Sequence, residues 1–114
     1  MTIKIKSRLW IEADERILLG EGRISLLKAI EKEGSMNLAC KSLGMSYKKA
    51  WKMVNQMNES GTEQVVIRKT GGSGGGGSIV SEYGLNLIKS FEEMRMKIWD
   101  ILEEENKRFA SSHE

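Results

Sequence analysis

A mainly α-helical fold with small β elements is predicted for this chain, on three observations. Residues 35–58, SMNLACKSLGMSYKKAWKMVNQMN, carry two helical patterns separated by a tight turn at Leu43-Gly44-Met45. Two short β-branched runs, Val65-Val66-Ile67 and Ile79-Val80, follow them and flank a glycine-rich stretch. Beyond these, Leu87, Phe91, Met94, Ile98 and Ile101 repeat at steps of four, three, four and three, the stripe of one long helix.

The N-terminal part alternates. In residues 3–12, Ile3, Ile5, Leu9 and Ile11 fall on one side and Lys4, Lys6, Arg8 and Glu12 on the other, as in a half-buried strand. Ala13-Asp14-Glu15 reads as a turn and Arg16-Ile17-Leu18-Leu19 as the returning strand of a hairpin. From Glu21 or Gly22 to Glu33 the pattern is helical, with Ile24, Leu27 and Ile30 inward, and Gly34 ends it by accepting left-handed geometry.

Residues 35–58 organise the rest. Ser35 and Ser46 each stand where a side-chain oxygen caps a helix. The first helix turns small Ala39 and Cys40 inward. The second aligns Ala50, Met53 or Val54, and Met57, while Gly44 tolerates the turn between them. This leaves Ser46, Tyr47, Lys48, Lys49, Lys52 and Asn55 facing outward. Lys41, Lys48, Lys49 and Lys52 lie in this segment and no Asp or Glu does. A cationic, hydrogen-bonding helix face is what a major-groove reader requires. The segment is predicted to be a helix-turn-helix.

After it, residues of about 65–80 form two short strands around a tip, RKTGGSGGGGS, in which six of the seven residues from Gly71 to Gly77 are glycine. That arrangement is a wing. Ser81 is placed to cap a last helix from about Glu82 to Phe109, with SSHE frayed beyond it. Such a helix spans roughly 40 Å, more than one small domain covers, so its far half is expected to pair with a second copy. The fold class is therefore a winged helix-turn-helix with an N-terminal β-hairpin and a long C-terminal dimerisation helix. Residues 1–84 are expected to form the DNA-binding domain and 85–114 the dimerisation helix.

Composition bounds the function. A 114-residue chain has room for one modest core. No apolar run is long enough to cross a membrane and the N-terminus lacks a secretory pattern, so a cytoplasmic protein is expected. Net charge is only +2, but its distribution is uneven: residues 92–105 carry six acids against two bases. One surface is thus suited to phosphate and another is not. The single Cys40 has no companion at metal-ligand spacing, and small buried cysteines pack. The glycine run lacks the Lys-Ser or Lys-Thr of a nucleotide-binding loop. With His113 alone in the tail, no nucleophile–histidine–acid set is available. Neither catalysis, nor a cofactor, nor a metal is expected.

The segments GRISLLKAIEKEGSM, LACKSLGMSYKKAWKMVNQMN, RKTGGSGGGGS and SEYG together resemble the N-terminal DNA-binding domain of ModE-type molybdate-responsive transcription regulators, with broader kinship to the winged helices of LysR-type regulators. Ser46-Tyr47-Lys48 with Ala50-Trp51, and the glycine run, are its most specific parts. The resemblance implies a dimeric repressor or activator whose recognition helices enter adjacent major grooves. By position, it sets Ser46, Tyr47, Lys48, Lys49 and Lys52 against DNA and the wing along the backbone. Two departures stand out: Lys49 and Lys52 make the helix more basic than usual, and Ser73 replaces a common basic wing residue. The family's C-terminal oxyanion-binding modules have no counterpart in these 114 residues, so no molybdate site is inferred.

The expected partners are double-stranded DNA and a second copy of the chain. DNA contacts are assigned to Ser46, Tyr47, Lys48, Lys49, Lys52, Asn55, Arg68, Lys69, Thr70, Gly71, Gly72 and Ser73. Dimer contacts are assigned to Leu87, Phe91, Met94, Ile98, Ile101 and Leu102. Trp51, next to inward Ala50, is expected to be partly buried. The alternative is a winged-helix adaptor whose long helix pairs with a separate sensor protein.

Overall fold

A computed structural model of the chain describes residues 2–69 and 77–113. Its elements run β1 (Trp10–Ala13), β2 (Arg16–Gly20), α1 (Glu21–Glu33), α2 (Met36–Leu43), α3 (Tyr47–Ser60), β3 (Val66–Arg68), β4 (Ser78–Val80) and α4 (Glu82–His113). Two antiparallel pairs, β1–β2 and β3–β4, form the sheets. This is the mainly α architecture with small β elements that the sequence predicts.

The first strand is shorter than its alternation suggests. Only Trp10–Ala13 pair with β2, through Trp10↔Gly20, Ile11↔Leu19, Glu12↔Ile17 and Ala13↔Arg16. The register slips between Ile11 and Glu12, leaving Leu18 as the extra residue of a bulge. The slip lets consecutive Leu18 and Leu19 both turn inward, where both are buried. Residues ahead of β1 run instead along α4. The Asn106 amide holds that segment like a strand neighbour: Ile5 N donates to Oδ1 at 2.5 Å and Nδ2 donates to Ile5 O at 3.4 Å. Alternating apolar residues were thus a sound sign of one half-buried side, but Ile5 and Leu9 meet a helix.

The core lies between α1, α2, α3 and the near end of α4. Leu19, Ile24, Leu26, Leu27, Ile30, Val54, Met57, Val65 and Phe91 are its largest fully buried side chains. Gly34 closes α1 with φ 70° and its N–H donates to Ile30 O at 2.7 Å. Strand β3 starts one residue later than predicted and pairs through Val66↔Val80, Ile67↔Ile79 and Arg68↔Ser78.

The segment SEYG opens α4 and three of its four residues have a task. Ser81 Oγ accepts from Gly84 N at 3.0 Å, the predicted cap, and donates to Gln64 O at 2.6 Å. Tyr83 Oη accepts from Thr62 N at 3.3 Å. At Gly84, a Cβ would stand 2.7 Å from Val65 O and 2.6 Å from Val80 Cγ1. Only glycine lets α4 approach the strands this closely.

Helix α4 runs to His113, four residues past its predicted end at Phe109, where Phe109 and His113 stack at 4.2 Å. Its 32 residues reach about 48 Å. The radius of gyration, 17.5 Å, exceeds the ~13 Å of a compact domain this long, because the far half of α4 projects. Residue 84, the expected domain limit, falls in the first turn of this helix.

Candidate nucleic-acid interface

The geometry of the helix-turn-helix follows from a few residues. Ser35 Oγ accepts from Leu38 N at 3.3 Å and Ser46 Oγ accepts from Lys49 N at 3.1 Å, so both helices begin on a serine cap. Gly44, at φ 64°, turns the chain sharply after α2, and Met45 N donates back to Cys40 O at 3.0 Å. Ala39 and Ala50 are fully buried, which permits the two helices to cross closely. Cys40 is buried beside this crossing, and burial pushes its thiol pKa up. Ala50, Val54 and Met57 seat α3 on the core.

The opposite face of α3 is open. Ser46, Tyr47, Lys48, Lys49, Lys52 and Asn55 are all exposed, Tyr47 by 50%. None of the three lysines makes an ion pair with a described residue. Helical spacing divides this face into two rows. Ser46, Lys48, Lys49, Lys52, Met53 and Gln56 border one open depression of about 530 Å³. Tyr47, Trp51 and Asn55, at steps of four, form the other row, turned toward β3.

The lysine row ends in a buttress that sequence reasoning missed. Arg23 of α1 donates to Gln56 Oε1 at 2.7 Å and also to the carbonyl of Ile17 in β2. It ties the C-terminal half of α3 to the hairpin. Partial burial lowers the Arg23 pKa from its ordinary value, because desolvation disfavours the charged form. No local pattern around Arg23 signals the contact, since its partners lie 6 and 33 residues away.

The second row meets the base of the wing. Arg68 lies over the Trp51 ring with Cζ 3.6 Å from the centroid, and Tyr47 meets Trp51 edge-on at 6.1 Å. Trp51 is half-buried, as expected. Arg68 and Lys69 are exposed, and Lys69 N donates to Gly77 O at 2.7 Å, which fixes the mouth of the β3–β4 turn. Asn58 braces this junction by accepting from Val65 N and Val66 N and donating to Val66 O. Thr70, Gly71, Gly72 and Ser73 lie outside the described residues.

The dimer assignment needs one correction. Phe91 is fully buried with Ile88 in the protomer's own core, so it offers nothing to a second chain. Its place in the stripe was right, but the near third of α4 spends that stripe on its own domain. Leu87 packs at the edge of the same core. Ile98 and Leu102 are half-covered, lining with Leu9 and Trp99 a groove of about 320 Å³. Met94 and Ile101 are exposed, and so are Met96, Trp99 and Phe109, with Trp99 and Ile101 open by 60% each.

Among the described residues, no group of three His, Cys, Asp or Glu side chains is placed to hold a metal ion. Nor is any helix there long and apolar enough to cross a membrane.

Sequence comparison agrees with this geometry. The chain is 38% identical over 109 residues to the DNA-binding transcriptional dual regulator ModE of Escherichia coli K12, which covers 93% of the chain. It is 34% identical over 102 residues to the molybdenum transport protein ModE of Azotobacter vinelandii, covering 90%. The chain is a counterpart of the N-terminal DNA-binding domain of ModE-type regulators. It spans only about 38% of the length of either relative. A shorter match, 38% over 73 residues, joins 64% of the chain to 27% of the molybdenum-pterin-binding protein MopB of Rhodobacter capsulatus. No family model matches the chain.

Proposed function

We propose that the protein is a transcriptional regulator that binds double-stranded DNA sequence-specifically, as a homodimer on a near-palindromic operator. The exposed face of α3 carries the reading: three lysines, a tyrosine and an asparagine stand outward on a helix seated by its other side. With α3 in a major groove, Ser46, Tyr47, Lys48, Lys49, Lys52 and Asn55 face bases and phosphates. Arg68 and Lys69 reach the backbone beside it, and Thr70, Gly71, Gly72 and Ser73 are assigned to the same contact. The kinship with ModE regulators supports DNA as the partner.

Dimerisation rests on the far half of α4, where Met94, Ile98, Trp99, Ile101 and Leu102 form an apolar surface beyond the domain core. A two-fold pair would set its recognition helices about 34–36 Å apart, or a multiple, matching half-sites on one face of the duplex. A cytoplasmic location follows from this role. The same apolar surface suits the alternative, an adaptor whose α4 pairs with a separate sensor chain.

Selection of bound fragments from source-genome DNA, with and without molybdate, tests the reading together with the mass of the purified protein in solution. A recovered near-palindrome and a mass of two chains are expected. A single-chain mass with no enriched sequence would overturn it.

A further inference from the structure

We propose that Trp51 is a positioning residue, whose ring face holds the Arg68 guanidinium as a preformed fork for a DNA phosphate beside the recognition helix. The inference rests on the DNA-binding reading and adds to it a residue with no charge and no direct DNA contact. Two observations carry it. First, the Trp51 Nε1–H is buried with no hydrogen-bond partner among the described residues. A buried indole usually finds an acceptor, so this one is not held here for its polar edge. What it presents is a flat aromatic face.

Second, that face is occupied by Arg68, 3.6 Å away, and Tyr47 closes the side of the ring. The Arg68 backbone is fixed by its pairing with Ser78. Its guanidinium makes no hydrogen bond or ion pair with a described residue. Stacking occupies the plane of the group and leaves its N–H donors, which point from the edges, open for a bidentate acceptor. Phosphate is the acceptor its location favours. Arg68 comes from a strand flanking α3, so it meets the wall of the groove while the ridge of α3 enters it. A lysine in its place would keep the charge and lose the plane.

The test uses the full chain and mixed-sequence duplexes of about 30 base pairs, long enough for two half-sites one turn apart. Trp51→Leu is expected to weaken binding to every duplex alike, by about five-fold, with the salt slope unchanged because no charge is lost. Trp51→Phe, which restores a face without an N–H, should recover most of that loss. Arg68→Lys should match Trp51→Leu, and the double variant should be no weaker than either single one. Thermal unfolding of each variant keeps folding separate from binding, and Arg68→Lys stays informative should Trp51→Leu fail to fold. Additive losses, no rescue by phenylalanine, or a loss confined to one base position would overturn the inference. Absence of duplex binding by the unaltered chain would instead overturn the DNA-binding reading itself.

Discussion

Helices α3 and α4 are both amphipathic, and both carry several cations, yet the balance of charge along them is opposite. On α3, Lys48, Lys49 and Lys52 are exposed and have no ionic partner among the described residues. On α4, seven acids outnumber five bases, and two of those bases, Arg95 and Arg108, are ion-paired. Arg95 bridges Glu21 at 2.6 Å and Glu92 at 3.4 Å, Glu92 also meets Lys28 at 3.3 Å, and Arg108 meets Glu105 at 2.5 Å. Exposed pairs of this kind add little stability, about 0–1 kcal/mol each. Their larger effect is to cancel the field that would draw a polyanion. One helix keeps a net positive open face, which suits a polyanion, and the other is net acidic with an exposed apolar stripe, which suits a protein surface. Number of lysines does not distinguish the two helices. The balance of acids against bases along each helix does: one acid accompanies three lysines on α3, and seven acids accompany five bases on α4.

The strongest way to break this contrast is to discharge α3. Lys48→Ala/Lys49→Ala/Lys52→Ala should weaken duplex binding by about a hundred-fold or more at physiological salt and lower the salt slope by about three. Arg108→Ala on α4 removes a charge already matched, and should leave affinity within about two-fold. Anisotropy titrations at several salt concentrations measure both. Equal losses in the two variants would erase the distinction between the helices.

The apolar side of the contrast is next. Trp99→Glu/Ile101→Glu places two carboxylates on the open face of α4, outside the protomer's core. Sedimentation is expected to report two chains for the unaltered protein and one for this variant, and operator affinity should fall by about ten-fold or more, since two linked half-sites would act together. An unchanged mass would leave that face without its assigned partner.

Stability tests sharpen where α4 changes role. Its first turns belong to the core and its last do not, so substitutions should cost less folding stability toward its far end. Gly84→Ala forces a methyl against Val65 O and Val80 Cγ1 and should cost about 1–3 kcal/mol in thermal or urea unfolding. The smallest effect compares the two caps. Ser46→Ala and Ser81→Ala should each cost about 1 kcal/mol, but only the first should also reduce DNA affinity.

How much of this was legible beforehand depended on whether the signal was local. Ser35, Gly44, Ser46 and Ser81 act on neighbours within a few residues, so their roles follow from position alone. The buried set of α3 follows from its period. Contacts that join distant segments were invisible. Arg23 reaches Gln56, Asn106 holds Ile5, and Arg68 stacks on Trp51, each across a separation that no local pattern encodes. Two errors have the same origin. Ile5 and Leu9 are half-buried along a groove on α4, and a period of two cannot say whether the cover is a strand. The stripe through Phe91 is continuous in sequence, whereas its cover changes from the domain core to open surface part-way along. A glycine in the first turn of α4 was a usable clue to close approach that periodicity alone passes over.

Amide chemical shifts of the labelled chain, followed while a genome-selected duplex is added, test the central claim most directly. Perturbations concentrated on Ser46–Asn55 and on Arg68–Lys69, with residues 92–113 unmoved, are predicted. Shifts confined to the far half of α4, with the α3 face undisturbed, would contradict it.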